Sequence, residues 1–198
     1  MANGTLKVSN IETSSGSGTI TIGASGETVD LSKGTMTLNS SMKATPAFSG
    51  YLSASQTISD ATTTKAQINA VTVDTDSGFD TSTNYRYTIP SGKGGKYIIS
   101  YGIGARSTNN DIFVAEGYLY KNGSQFQTIS INNNLASNAA HRSLSLSSGF
   151  LVMDLSAGDY LEVFAYIDCT SPPSGFPRIS SDTNAKLCFL SGMRIIGA

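Results

Sequence analysis

Apolar residues in this chain recur at every second position over short stretches, and the 3.6-residue period of a helix is nearly absent. Thr19-Ile20-Thr21-Ile22, Asn69-Ala70-Val71-Thr72-Val73-Asp74 and Ser143-Leu144-Ser145-Leu146 all alternate in this way. A strand turns successive side chains to opposite faces, so each stretch predicts a strand with one face buried. Clusters of Gly, Asn, Asp and Ser separate the stretches and supply turns. Asn122-Gly123 is the strongest of these signals, because a type I′ hairpin turn needs positive φ at both central residues. The pattern predicts an all-β chain of many short strands.

The first forty-odd residues have a different texture. Gly4-Thr5-Leu6-Lys7-Val8 recurs in form as Gly18-Thr19-Ile20-Thr21-Ile22 and as Gly34-Thr35-Met36-Thr37-Leu38. This reads as a repeat of one short strand after a turn. Three such strands make too thin a sheet to bury their own apolar faces. The segment therefore needs partner chains, as in a three-chain β-prism, or a docking surface; a flexible tail is the plainer alternative. Small polar residues and Pro46 mark a linker, which divides the chain into residues 1–45 and residues 46–198.

Composition narrows the function classes. The 198 residues are 39% hydrophobic and only 14% charged, with a net charge of −1. Such a chain attracts neither phosphate backbones nor anionic lipid, which argues against nucleic-acid and membrane-surface roles. No apolar run reaches membrane-spanning length, so no membrane insertion is expected. Met1-Ala2-Asn3-Gly4-Thr5 has neither the basic start nor the apolar core of an export signal, which predicts synthesis in a cytosol. Cys169 and Cys188 are too few for a disulfide scaffold and are expected as buried thiols, with a bridge as the alternative.

Catalytic and metal chemistry find little material. His141 is the only histidine, so a Ser-His-Asp triad would have to use it, and multi-histidine zinc sites are excluded. Asp74, Asp76 and Asp80 invite a calcium reading, yet Gly78 falls one place early for an EF-hand and Tyr85 stands where the bidentate Glu belongs. An Asp/Ser/Gly turn is the favoured reading and no cofactor is expected, with Ca2+ as the alternative. Ser91-Gly92-Lys93-Gly94-Gly95-Lys96 lacks phosphate-loop spacing and reads as a glycine-rich β-turn. Phe48, Tyr97, Phe126, Phe164 and Phe189 alternate with polar residues and are expected to fill a core.

Several short motifs then fall into a familiar order. These are Ala47-Phe48-Ser49-Gly50-Tyr51-Leu52, Val71-Thr72-Val73-Asp74-Thr75 with Gly78-Phe79-Asp80, and Tyr85-Arg86-Tyr87-Thr88-Ile89-Pro90. Gly95-Lys96-Tyr97-Ile98-Ile99-Ser100-Tyr101, Leu119-Tyr120-Lys121-Asn122-Gly123, Leu151-Val152-Met153-Asp154-Leu155 and Gly158-Asp159-Tyr160 come next. In this order they resemble the globular head of the C1q and tumour-necrosis-factor superfamily. The last strand departs from that pattern: Leu190, not Phe, precedes Ser191-Gly192, and Phe189 lies one place earlier. Leu6-Lys7-Val8-Ser9-Asn10-Ile11-Glu12-Thr13 with Ser17-Gly18-Thr19-Ile20-Thr21-Ile22 resembles the opening of bacteriophage fibre and appendage subunits.

The two resemblances imply a jelly-roll head behind an N-terminal β-repeat shaft or anchor, assembled as a homotrimer that binds rather than catalyses. Tyr101, Tyr118, Tyr120 and Tyr166 are then candidates for the threefold axis. Asn109, Asn110, Asp111 and Phe176 are candidates for ligand-binding loops. The implied setting is a virion assembled in the host cytoplasm. Residues 1–45 would hold other virion proteins, and the head would meet a host-surface glycan or protein. A capsid cement protein with no receptor role and a bacterial C1q-like carbohydrate-binding adhesin are the alternatives. A glycan depolymerase has the least support.

Overall fold

The computed structural model describes residues 26, 28, 46–108, 111–132, 142–170 and 177–195. The N-terminal repeat, His141 and the loop candidates Asn109, Asn110 and Phe176 lie outside the described residues. The chain divides into two compact units, Met1–Thr37 and Leu38–Ala198. All the strands among the described residues belong to the second unit.

Every regular element described is a strand. The first seven are β1 (Ala47–Tyr51), β2 (Ala54–Thr57), β3 (Thr64–Lys65), β4 (Ala70–Asp74), β5 (Phe79–Asp80), β6 (Arg86–Thr88) and β7 (Gly95–Arg106). The other seven are β8 (Ile112–Lys121), β9 (Ser124–Asn132), β10 (Ser143–Ser147), β11 (Leu151–Leu155), β12 (Tyr160–Cys169), β13 (Arg178–Asp182) and β14 (Phe189–Arg194). They form two antiparallel sheets packed as a sandwich. The eight-stranded sheet runs β2-β13-β7-β14-β1-β4, with β10 and β11 also on β7. The six-stranded sheet runs β5-β6-β12-β8-β9, with β3 also on β12.

Strand β7 organises the larger sheet. Ile99 pairs with Gly192 on one edge and Leu151 on the other, and Ala105 pairs with Ile179 and Leu144. Its odd-numbered residues Tyr97, Ile99, Tyr101, Ile103 and Ala105 point inward and are fully buried. They share one core with Ala115 and Leu119 of β8 and with Leu161, Val163, Ala165 and Ile167 of β12. Burying each branched aliphatic side chain contributes about 1.5–3 kcal/mol, and this drives the two sheets together.

The predicted hairpin is present. Asn122 and Gly123 adopt φ of 53° and 78° between β8 and β9, the two positive angles of the I′ turn. The final strand settles the register question raised by its sequence. Leu190 is fully buried opposite Tyr101, while Phe189 lies half-buried and pairs with Gly102. Gly192 comes next on the inner face, where a Cβ would stand 2.6 Å from both Phe48 Cζ and Ile99 Cδ1.

Two expectations for the aromatic residues need correction. Phe48 and Tyr97 are core residues, but Phe126 is 53% exposed on β9, and Phe164 and Phe189 are only half-buried. Tyr101 is wholly inside the sandwich, so it is not available to meet another chain. Alternation marks which residues share a face; it does not say which face is covered. Cys169 and Cys188 are free, buried thiols, and burial pushes the pKa of both up to about 12.

Candidate interaction surfaces

The larger sheet presents an apolar outer face. Two cross-strand rows build it. Val73 of β4 pairs with Ser49 of β1, which pairs with Ser191 of β14, which pairs with Ser100 of β7. Beside that row, Ala47 pairs with Met193, Met193 with Ile98, and Ile98 with Val152 of β11. The serines use their polarity locally, since the Ser49 and Ser191 hydroxyls hydrogen-bond each other at 2.9 Å. Val73, Met193 and Val152 are 42–66% exposed, and Phe150 in the β10–β11 turn is 82% exposed. Phe150 walls a depression of about 280 Å3 whose floor includes Val73, Ile98 and Met193. The Lys96–Asp154 ion pair, at 2.8 Å, sits on the same strands where β7 meets β11.

Sequence reading missed this face, although a signal for it exists. Tyr97-Ile98-Ile99 and Phe150-Leu151-Val152-Met153 are apolar in both phases of the alternation. Unbroken apolar runs of that kind belong to strands covered on both faces.

The smaller sheet has a contrasting outer face, and three of the four tyrosine candidates meet there. Tyr118 and Tyr120 lie on β8, and Phe164 and Tyr166 on β12. Tyr120 packs on Phe164 with centroids 4.2 Å apart, and Tyr118 meets Tyr120 edge-on at 6.4 Å. The Tyr118 hydroxyl donates to the Glu116 carboxylate, and burial followed by that carboxylate raises its pKa. Lys65 hydrogen-bonds and ion-pairs with Glu162 and lies over the Phe164 ring at 6.0 Å. These tyrosines are therefore not on the sheet that carries the apolar face.

The three aspartates of the calcium reading each serve a separate turn. Asp74 accepts the Gly78 and Phe79 N–H groups, both at 3.0 Å. Asp76 pairs with Lys93 at 2.9 Å and accepts the Thr75 hydroxyl at 2.8 Å. Asp80 accepts N–H groups from Ser82, Thr83 and Asn84, and the Asn84 amide at 2.7 Å. Those bonds, Thr83 first, hold its pKa far below the usual carboxylate range. Among the described residues no three or more His, Cys, Asp or Glu side chains stand together as a metal-binding group.

Asp111 also departs from expectation. It is only 6% exposed and accepts a hydrogen bond from the Ser107 hydroxyl, while its carbonyl accepts the Thr170 N–H at 3.0 Å. It braces the end of β8 against β12 and does not project as a contact residue.

Comparison with known proteins gives a result at the level of fold. No family model matches this chain. No curated protein matches it either. Solved structures do match. The Eiger TNF structure from S. frugiperda overlays with a TM-score of 0.54 at 13% identity, over 79% of this chain and 96% of that one. The globular domain of the zebrafish complement 1qA protein matches with a TM-score of 0.44 at 16% identity, covering 76% of this chain and 96% of its own. Murine APRIL matches with a TM-score of 0.45 at 13% identity, covering 76% and 100%.

The fold is a TNF/C1q-like jelly roll.

At such identity the likeness is one of backbone course, as the short sequence motifs anticipated. In this jelly roll the larger sheet carries the exposed apolar face and the smaller sheet the aromatic and acidic one.

Proposed function

We propose that this chain is a non-enzymatic structural subunit that assembles as a homotrimer through the apolar face of its larger sheet. The observation that carries the reading is that face itself. Val73, Ile98, Val152, Met193 and Phe150 gather there on neighbouring strands, and the charges noted among them, Lys96 and Asp154, are paired with each other. A contiguous exposed apolar patch marks an interaction surface. The patch around Val73, Ile98 and Met193 holds only the mutually paired Lys96 and Asp154, while Arg106 and Arg178, which form no ion pair among the described residues, lie at the far end of β7; on a chain of net charge −1 this favours a second copy over a charged partner at the patch. TNF/C1q-like domains are typically homotrimeric, in agreement.

The finer reading is a virion appendage, a tail fibre or capsid surface fibre, whose jelly-roll head attaches to the host surface. Residues 1–45 would anchor it to other virion proteins. The support is the N-terminal Gly-Thr-apolar repeat and its resemblance to phage fibre subunits. Three copies on one particle would convert weak single contacts into useful avidity.

Light scattering on the native protein tests the assembly. Three copies of 20.7 kDa are expected, and a stable monomer overturns it. The biological role is tested on particles lacking the protein. Loss of adsorption is expected. Particles that adsorb normally but break easily would make it a cement protein, and a host genome with no phage genes beside this one would make it a bacterial adhesin.

A further inference from the structure

The outer face of the six-stranded sheet carries two basic side chains on aromatic rings, Arg86 of β6 over Tyr160 at 4.1 Å and Lys65 of β3 over Phe164, and among the described residues the aromatic and acidic bed continues along β12 past Phe164 without another. Lys65 is the base nearest that stretch. Strand pairing sets it beside Phe164, with Glu162 opposite Tyr120, and its ammonium bonds Glu162 while lying over the Phe164 ring. Two residues further along β12, on the same face, comes Tyr166, and its cross-strand partner on β8 is Glu116. Asp168 is next on that face, and Tyr118 donates to Glu116 from the side.

On the remaining side, residues 60–63 run along β12 where β3 has ended. The Ala61 N–H donates to the Ile167 carbonyl at 2.9 Å, and Asp60 accepts the Cys169 N–H at 2.9 Å. That segment brings a third carboxylate and two threonines, and no base. Among the described residues, no ion pair uses Asp60, Glu116 or Asp168. Burial, and then Asp60, raises the pKa of Asp168; burial, and then Asp168, Glu116 and Asp60, raises that of Tyr166. Three like charges around a half-buried ring form a negative field with no internal counter-charge.

We propose that Tyr166, with Glu116, Asp168 and Asp60, is a docking site for an arginine side chain presented by a partner protein. A guanidinium can lay its flat face on the tyrosine ring while its edge N–H groups reach more than one carboxylate. Lys65 on Phe164 and Glu162 is the internal version of the same contact. Phosphate groups and acidic glycans are repelled by the same field. The site lies on the sheet opposite the apolar face, so it does not depend on the trimer.

The test uses the full chain, isotopically labelled, titrated with N-acetyl-arginine methylamide and followed by amide chemical shifts. N-acetyl-glutamine methylamide is the neutral control. Saturable shifts centred on Glu116, Tyr166 and Asp168 are expected with the arginine probe only, and they weaken severalfold as salt rises from about 50 to about 300 mM. The double variant Glu116→Gln/Asp168→Asn is expected to bind about tenfold more weakly with its spectrum otherwise preserved. Tyr166→Leu keeps the carboxylates and removes the ring, and also weakens binding, so the conclusion does not rest on one variant folding. Equal shifts with both probes, shifts scattered over the surface, or undiminished binding by the variants overturn the proposal.

Discussion

Phe48 lies flat on Tyr87, with ring centroids 3.6 Å apart and planes 13° from parallel. Phe48 belongs to β1 of the larger sheet and Tyr87 to β6 of the smaller, so this stack is a direct bond between the layers. Phe79 meets both rings edge-on, at 6.0 and 5.3 Å. Phe48→Ala is expected to destabilise the head by about 3–5 kcal/mol, because transfer energy is lost and a cavity remains. The Tyr87 hydroxyl is buried with no protein partner, so Tyr87→Phe is expected to leave stability unchanged or raise it by about 1 kcal/mol. Urea unfolding at fixed protein concentration separates the two; a Tyr87→Phe loss as large as that of Phe48→Ala would contradict the role given to the stack.

Gly192 makes a sharper packing prediction. An added Cβ meets Phe48 Cζ, Ile99 Cδ1 and, at 2.9 Å, the Ile98 carbonyl oxygen, which is backbone and cannot swing aside. Gly192→Ala is expected to cost about 1–3 kcal/mol through overpacking. Thermal melting followed by circular dichroism measures it.

The apolar face can be probed without touching the core. Val73→Asp combined with Met193→Asp places two charges among the exposed apolar residues of the larger sheet. The expected outcome is loss of the trimer mass in light scattering with the β-sheet spectrum retained. Phe126→Asp, on an exposed site of the other sheet, is expected to leave the mass unchanged.

Asp159 gives stability a pH dependence of defined sign. Its carboxylate accepts the Asn122 amide at 2.7 Å and the Ser156 N–H at 2.8 Å, and pairs with Lys121 at 2.9 Å. These contacts, the Asn122 bond first, lower its pKa from an ordinary 3.8 to about 2. A group depressed in the folded state stabilises above its unfolded pKa and loses that contribution as pH falls toward its folded one. Stability is therefore expected to drop between about pH 4 and pH 2, and Asp159→Asn to flatten part of that drop. Asp80 and Asp182, also depressed, keep the remainder. Urea midpoints across this range provide the measurement.

Both cysteines are expected to resist iodoacetamide in the native protein and to react after unfolding. Each is buried, and the pKa of each thiol is pushed up to about 12, so thiolate is scarce at neutral pH. Mass spectrometry of the alkylated chain reads the outcome, and rapid labelling of the folded protein would contradict the burial.

The alternation of residues and the Asn122-Gly123 turn were enough to make this chain all-β, because local backbone preference and a period of two are written in neighbouring residues, and the resemblance of its ordered motifs to the C1q and tumour-necrosis-factor head implied the jelly roll. Other features depend on residues distant in sequence. Ser49 and Ser191, 142 positions apart, share a hydrogen bond only because β1 lies beside β14. Tyr101 and Tyr118 look alike in sequence, yet one points into the sandwich and the other toward the outer face of the smaller sheet, where it is 9% exposed, since each strand's in-and-out phase is fixed by the layer that packs against it. Asp74, Asp76 and Asp80 read as a cluster in sequence and separate into three turns once the backbone N–H groups nearest each carboxylate are in place. The apolar face and the acidic bed around Tyr166 likewise exist only after strands from distant parts of the chain are laid side by side. Strands, turns and the fold they favour were legible from residue order alone. Which faces of those strands are left for a partner was set by the packing of the two sheets, because burial is a property of opposed layers rather than of neighbouring residues.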